Sequence, residues 1–331
     1  MRLTDAVDLS WPRSVPDRSQ VQLVHLNACE PNSRSTLPKV LVGMLYSGES
    51  QITSAVSSLA TQKGVCADLM LISGLPNAVA HQTLYAEFMR RSSAYAYLAK
   101  IDADMQLISP DALRHIVDVT ASSDAGDVVF PVHDWLLDAE IYGLHAFPST
   151  ARWEVDPGEQ AFVDDGPYAP RGRLVVPKEH GPVALHNTSP TQPEAFSFGI
   201  HRGSKVAQRG RSVYGFRCGQ ARSQFSLLAA VAVTAQRLPD RRRWMALVGA
   251  ADVIWGTTEF SPHTYRNVIG EARFGELSQL SDATLERAAF EYWGSALTCT
   301  VARARTQVRC LLQRQATRGQ TFYRLWGRAP K

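Results

Sequence analysis

The stretch AYAYLAKIDADMQLISPDALRHI holds the densest chemistry in the chain. A compact apolar run, Tyr95 to Ile101, ends at Asp102, and Asp104 follows two positions later. Two carboxylates in a loop after a strand can offer oxygen ligands to Mg²⁺ or Mn²⁺, and the cation can join the protein to a diphosphate and take up charge as it leaves. The same pair by itself also fits a solvated acidic turn or a helix cap, so the strand before it and the helix start after it carry the argument. Lys100 immediately precedes the pair. It could meet a nucleotide or diphosphate, or it could be a strand-edge lysine with its ammonium in water.

Two further islands have residue types that could act with this one. VLVGMLYSGE puts Glu49 in a sharp stop after an apolar run, and ALHNTSPTQPEAFSFGIHRGSK carries His186, Glu194, His201 and Lys205. On a helix, His201 and Lys205 would share one side, as a donor pair for a diphosphate or an acceptor. Gly199 and Gly203 equally suggest a turn there. Arg202, between them, has the guanidinium geometry for paired bonds to phosphate, and an ordinary solvated face explains it as well.

These groups need elements to hold them. Lys39 to Tyr46 reads as a buried strand, Gln51 to Gln62 as a helix, Asp68 to Ile72 as a strand, Val79 to Ser92 as a helix, and Tyr95 to Ile101 as the strand before Asp102. Asp111 to Val119 reads as a helix, Asp127 to Pro131 as a strand and Glu140 to Ala146 as a further sheet segment. Such alternation predicts an α/β fold with a mostly parallel sheet covered by helices, whose ligand site lies at the C-terminal strand edges. SGE and DAD both fall at such exits. Val21 to Leu26 is a short edge strand in an N-terminal arm, residues 1–38. A core of residues 39–215 follows, then a helical C-terminal region, residues 216–331, with helices over Ala221 to Arg237, Asp240 to Ile254 and Asp282 to Arg314. Between Pro148 and Pro193 the chain is rich in Gly, Pro and Asp, as expected of loops that wall an acceptor site.

Taken together, VLVGMLYSGE, NAVAHQTLYAEF, YLAKIDADMQL and ALHNTSPTQPEAFSFGIHRGSKVAQ resemble a bacterial GT-A glycosyltransferase related to glycosyltransferase family 2, over roughly Lys39 to Gln208. The resemblance implies a single Rossmann-like sheet binding a nucleotide sugar. Asp102 would lie near ribose and metal, Asp104 would be the more direct metal ligand, and His186 would return beside them as a third ligand through a neutral imidazole nitrogen. Glu49 would help hold the nucleotide. The pattern departs from its relatives at MLISGLPN, which has no acid at the strand exit where many recognise the base; Asn77 and His81 are the local polar groups there, as turn former and cap or as hydrogen-bond partners. UDP is expected as the commonest nucleotide of the class. A dinucleotide dehydrogenase is disfavoured independently, because YSGE stands where a GxGxxG loop would be.

Sugar transfer to a hydroxyl needs a base, and Asp134, Asp164, Asp165 and Glu194 are the carboxylates in suitable segments. Glu194 ranks first, at the start of a helix beside the His186 loop, with helix capping as its other explanation. Asp134 in PVHDW ranks second. Inversion is expected from the resemblance alone. Trp153 in WEVDPG is the best aromatic for an acceptor wall.

The chain has 331 residues, 45% of them apolar, and a formal charge of +4. Residues 292–331 carry eight Lys or Arg and no acid, so 4 − 8 leaves −4 for the remainder. A basic end of this kind can rest on an anionic membrane or meet a soluble partner, whereas the rest gives no reason to expect specific nucleic-acid binding. Cys29, Cys66, Cys218, Cys299 and Cys310 form no CxxC pair, and reduced thiols are expected. The start has acids and prolines where a signal peptide needs an apolar run, and no apolar run approaches about 20 residues. The expected location is therefore cytoplasmic, with peripheral membrane contact through the basic end. The expected activity is metal-dependent transfer from a UDP-sugar to a carbohydrate or lipid-linked carbohydrate acceptor. A nucleotidyltransferase and a noncatalytic carbohydrate-binding protein are the alternatives.

Overall fold

The computed structural model describes residues 20–26, 37–153, 172–207, 216–255 and 268–297. Its elements begin with β1 (Gln20–His25), β2 (Lys39–Tyr46), α1 (Ile52–Ala60), β3 (Cys66–Ser73), α2 (Asn77–Arg90) and β4 (Tyr97–Lys100). There follow β5 (Met105–Leu107), α3 (Ala112–Ser122), β6 (Asp127–Asp134), β7 (Ala139–Pro148), β8 (Arg173–Val175) and β9 (Ala184–His186). The helices α4 (Gln192–Ala207), α5 (Phe216–Arg237), α6 (Arg241–Ile254), α7 (Val268–Ser278) and α8 (Asp282–Leu297) complete the described chain. The short β5 and β8 and the helix α7 have too few residues or too weak a pattern to stand out in the sequence, while VVPKEHGPVAL before His186 reads as a strand-like approach and ends in β9. The chain forms two compact units that divide after Glu194, inside α4.

In the first unit the strands form one sheet in the order β1-β3-β2-β4-β7-β6-β9-β5, with β8 also paired to β6. Helices flank it, so the chain is a mixed α/β protein. The expected mostly parallel arrangement holds for β3-β2-β4 and for β8 and β9 against β6. The pairs β1 with β3, β4 with β7, β6 with β7 and β5 with β9 are antiparallel. The reason is local: only residues 135–138 join β6 to β7, and so short a link returns the chain antiparallel, whereas a parallel return needs a crossover. Asp138 in this link has φ 47°, a left-handed conformation that Asp tolerates in turns.

Strand direction fixes where the site lies. With β7 antiparallel to both β4 and β6, β6 runs parallel to β4, and β9 runs parallel to β6. The C-terminal ends of β2, β3, β4, β6 and β9 therefore share one edge. Because β5 is antiparallel to β9, it begins at that edge, with Met105 opposite His186. Asp104, just before β5, is thus delivered to the same edge.

The core supports these strands. α1 buries Ile52, Ala55, Val56 and Leu59, and α3 buries Ala112, Leu113, Ile116 and Val117, both at helical spacing. From α2, Leu84, Tyr85 and Phe88 pack on Leu41, Met70, Leu98, Phe147 and Trp153. Each fully buried side chain of this size contributes about 1.5–3 kcal/mol relative to exposure. Trp153 stacks on Tyr85 at 4.7 Å and meets Phe147 edge-on at 5.1 Å. It is a core residue, so the expectation that it lines an acceptor wall is corrected. Cys66 is disulfide-bonded, which also corrects the expectation of reduced thiols throughout. Distance along the chain, on which that expectation rested, does not report proximity in space.

The second unit is helical in its described residues. Trp293 on α8 is fully buried and donates its indole N–H to the Leu247 carbonyl of α6 at 2.9 Å. The backbones of α4 and α6 come so close that a Cβ at Gly199 would stand 1.9 Å from the Ala246 carbonyl oxygen. No helix among the described residues is long and apolar enough to cross a membrane. The basic end from residue 298 and the loop carrying Asp164 and Asp165 lie outside the described residues.

Candidate metal centre

Three side chains meet at the shared strand edge. One oxygen each of Asp102 and Asp104 and one ring nitrogen of His186 lie within 4.8 Å of one another, the one such cluster among the described residues. Asp102 and Asp104 are placed by the β4–β5 loop, which turns tightly as the Met105 N–H bonds the Asp102 carbonyl at 3.0 Å. His186 ends β9. Its carbonyl accepts the Trp135 N–H, and the next N–H, from Asn187, bonds the Asp104 carbonyl, both at 3.1 Å. Asn187 has φ 54°, which turns the loop away directly after the histidine.

Each of the three is held differently. Lys100 Nζ donates to Asp102 Oδ1 at 2.8 Å. Burial would raise the Asp102 carboxyl, but the Lys100 ammonium and the nearby His186 charge hold it well below the usual carboxylate range. Asp104 Oδ1 is buried without a hydrogen bond, and His186 Nε2 faces it at 3.4 Å. Burial alone would lower the His186 imidazolium, yet the Asp104 and Asp134 carboxylates outweigh it and raise it to about 10. A divalent cation and the Nε2 proton would compete for the same place.

The donor set suits such an ion. Buried carboxylate charge needs a cation to meet it, and at Asp104 either the His186 imidazolium or a bound metal ion can supply one. Two carboxylates and one imidazole fit Mn²⁺ better than Mg²⁺, which prefers oxygen alone.

Glu49 reaches this edge from the β2–α1 loop. Gly48 before it has φ 109°, a conformation open to glycine, and the Glu49 carboxylate folds back to accept the Ser47 N–H at 2.7 Å and the Ser47 hydroxyl. Burial pushes the Glu49 carboxyl up to about 7, against the Ser47 hydrogen bond and with help from the Asp104 charge. The three loops are then laced together. Gln51 Oε1 accepts the Thr188 hydroxyl at 2.7 Å and the Ser189 N–H at 3.2 Å, and Gln106 Nε2 donates to Thr188 Oγ1 at 2.9 Å. These amide and hydroxyl groups gave no signal in the sequence, because nothing local marks their partners.

Two residues expected to act as the acceptor base have other work. Asp134, the last residue of β6, is wholly buried, accepts the Leu137 N–H on Oδ1 at 2.9 Å and meets His186 Nδ1 with Oδ2 at 2.6 Å. No acceptor can reach it, so its assignment as a base is corrected. Glu194 accepts the Ser50 N–H at 2.6 Å, the Ser50 hydroxyl at 3.0 Å, and the Thr191 N–H and hydroxyl at 2.6 and 2.7 Å. Its own N–H reaches Thr191 Oγ1 at 3.4 Å, closing a capping box whose T-x-x-E spacing is visible in the sequence. Although burial opposes it, these donors hold the Glu194 carboxyl below the usual range, which weakens it as a base. Glu194 thus ties the turn at Thr191 to Ser50 of the SGES loop.

The remaining expected residues divide. His81 is buried on α2 with Nδ1 on the Asn77 carbonyl at 2.9 Å. His201 and Lys205 belong to the second unit, on α4, where Lys205 is buried. Arg202 there donates to Gln224 Oε1 at 2.7 Å and covers the Phe198 ring, which accounts for its guanidinium without a phosphate.

In comparisons with known proteins, no family model, curated protein or solved structure matches this chain.

Proposed function

We propose that the chain is a divalent-metal-dependent glycosyltransferase of GT-A type. Its donor is a nucleotide-diphosphate sugar, UDP-sugar first, and its acceptor is a hydroxyl of a surface-glycan or lipid-linked glycan. The observation that carries this reading is the convergence of Asp102, Asp104 and His186 at the edge where β2, β4 and β9 end. Open α/β sheets bind ligands at such an edge. The four sequence blocks that resemble glycosyltransferase family 2 supply the chemical class.

In this reading Asp102, Asp104 and His186 hold the cation, which when bound would neutralise charge on the departing nucleoside diphosphate. Lys100 fixes the orientation of Asp102 through its 2.8 Å bond and adds positive charge where phosphate oxygens would lie. Glu49, whose carboxyl burial pushes up, would hydrogen-bond the nucleotide. Of the four carboxylates considered for the acceptor proton, Asp134 and Glu194 are engaged elsewhere, which leaves Asp164 and Asp165.

The test is a panel of nucleotide sugars with Mn²⁺ and mixed glycan acceptors, read for nucleoside diphosphate and for product mass. Release of nucleoside diphosphate with a mass gain of one sugar supports the reading. Pyrophosphate release from a nucleoside triphosphate would instead make the chain a nucleotidyltransferase.

A further inference from the structure

We propose that Asp134 is a positioning residue that aims His186 and sets which divalent cation the centre prefers. The proposal rests on the metal-dependent reading above and adds to it a residue that touches neither donor nor acceptor. Parallel pairing of β6 and β9 places Asp134 beside His186 in register, and the 2.6 Å contact occupies Nδ1. Only Nε2 is then left as a ligand, and it is the nitrogen that faces Asp104 Oδ1. The His186 carbonyl is held by the Trp135 N–H and the next N–H, of Asn187, by the Asp104 carbonyl, so the backbone is set and the 2.6 Å Asp134 contact, far shorter than the 3.3 and 3.4 Å approaches of Asn187 Nδ2, orients the ring.

A carboxylate on the far nitrogen of a ligating histidine fixes its tautomer and makes it a stronger donor. That gain falls on nitrogen-accepting ions such as Mn²⁺, and hardly on Mg²⁺, which binds through oxygen. The Asp134–His186 pair therefore tilts the centre toward Mn²⁺.

Asp134→Asn isolates this effect. Asp134 accepts the Leu137 N–H on Oδ1 and the His186 Nδ1–H on Oδ2. An asparagine has a single acceptor atom for the two donors. If it keeps Leu137, its NH₂ faces Nδ1 and drives the ring proton to Nε2, the position the cation needs; the same substitution logic puts a catalytic-triad histidine in the wrong tautomer.

Cation titration of the full chain by calorimetry needs no knowledge of the sugar. Mn²⁺ affinity should fall about 10–100-fold in Asp134→Asn, and Mg²⁺ affinity by clearly less, so that the Mn²⁺/Mg²⁺ preference drops. Equal losses for both ions would mark a merely structural role and overturn the proposal. Unchanged affinities would overturn it too, while leaving the metal-dependent reading standing; a wild-type chain that binds neither ion would overturn both. Should the variant not fold, nitrogen NMR of His186 in the wild type decides. A proton on Nδ1 with Mn²⁺ broadening centred on Nε2 supports the proposal, and the reverse tautomer refutes it.

Discussion

Replacing Glu194 by glutamine separates a clamp from a base. The glutamine carbonyl can keep the three contacts made by Oε2, from Thr191 N–H, Thr191 hydroxyl and Ser50 hydroxyl, but its NH₂ then faces the Ser50 N–H that Oε1 accepted at 2.6 Å. One charge-assisted hydrogen bond is lost, ordinarily about 1.5–3 kcal/mol, and solvent at this half-buried site takes the figure to its lower end. The negative charge at the α4 N-terminus adds about 0.3–1 kcal/mol. A total of about 2 kcal/mol should lower the melting temperature of the unit that holds it by roughly 4–8 °C. The pH dependence has a definite sign. The folded carboxyl is lowered, so its stabilisation is present above the unfolded value of about 4.3 and is lost as pH falls through the folded value. Thermal unfolding of both proteins at a series of pH values should therefore give a full gap at pH 7 that closes in acid. A Glu194→Gln protein of unchanged stability and unchanged Mn²⁺ affinity that no longer transfers sugar would refute this reasoning and restore Glu194 as the base.

Three other outcomes are expected. Asp104→Asn and His186→Ala should each weaken Mn²⁺ binding at least about tenfold, measured by calorimetry, because each removes a direct ligand; wild-type affinity in either would remove that residue from the centre. In chelated protein, the raised Glu49 carboxyl contributes stability that is present below the unfolded value and lost as pH rises through about 7. Melting temperatures of wild type relative to Glu49→Gln should thus decline between about pH 4.3 and 7, and a flat difference would show that the carboxyl titrates normally. Gly199→Ala should destabilise by about 1–3 kcal/mol or more, since its Cβ would meet the Ala246 carbonyl oxygen at 1.9 Å. Gly275→Ala on α7, with nothing within 4 Å, should instead be neutral or gain about 0.5–1 kcal/mol; equal effects at the two glycines would contradict the close helix packing.

The sequence displayed what is encoded locally. The apolar runs at β2, β3 and β4 and the helical spacing of α1, α2 and α3 are complete within a few residues, whereas the return of His186 beside DAD was implied only by the family resemblance. The antiparallel return of β7 was hidden because it depends on the length of the link at 135–138, not on strand composition. Asp134 and Glu194 stand out in the sequence as carboxylates but their partners do not, since a carboxylate that accepts hydrogen bonds and one that accepts a proton look alike until their donors are known. The Thr191–Glu194 spacing did carry the capping signal. Trp153 was misread for a related reason: an aromatic beside acids and a turn says nothing about whether Tyr85 and Phe147 already enclose it. Gln51, Gln106 and Thr188 matter only through one another, so no window of sequence could reveal them.

The β5–β9 pairing, three residues long on each side, has a kinetic consequence. Asp104 and His186 are brought together by this long-range ladder, whereas β2, α1 and β3 are joined by short local connections. Closing a ladder of such sequence separation costs loop entropy before its contacts give anything back, and we expect it to close late. A cation held there stabilises the folded chain by about 2.7 kcal/mol at a hundredfold excess over its dissociation constant, and that gain is absent from the transition state. Divalent ions should therefore slow unfolding markedly and leave refolding nearly unchanged, so that the centre works as a latch on the finished sheet.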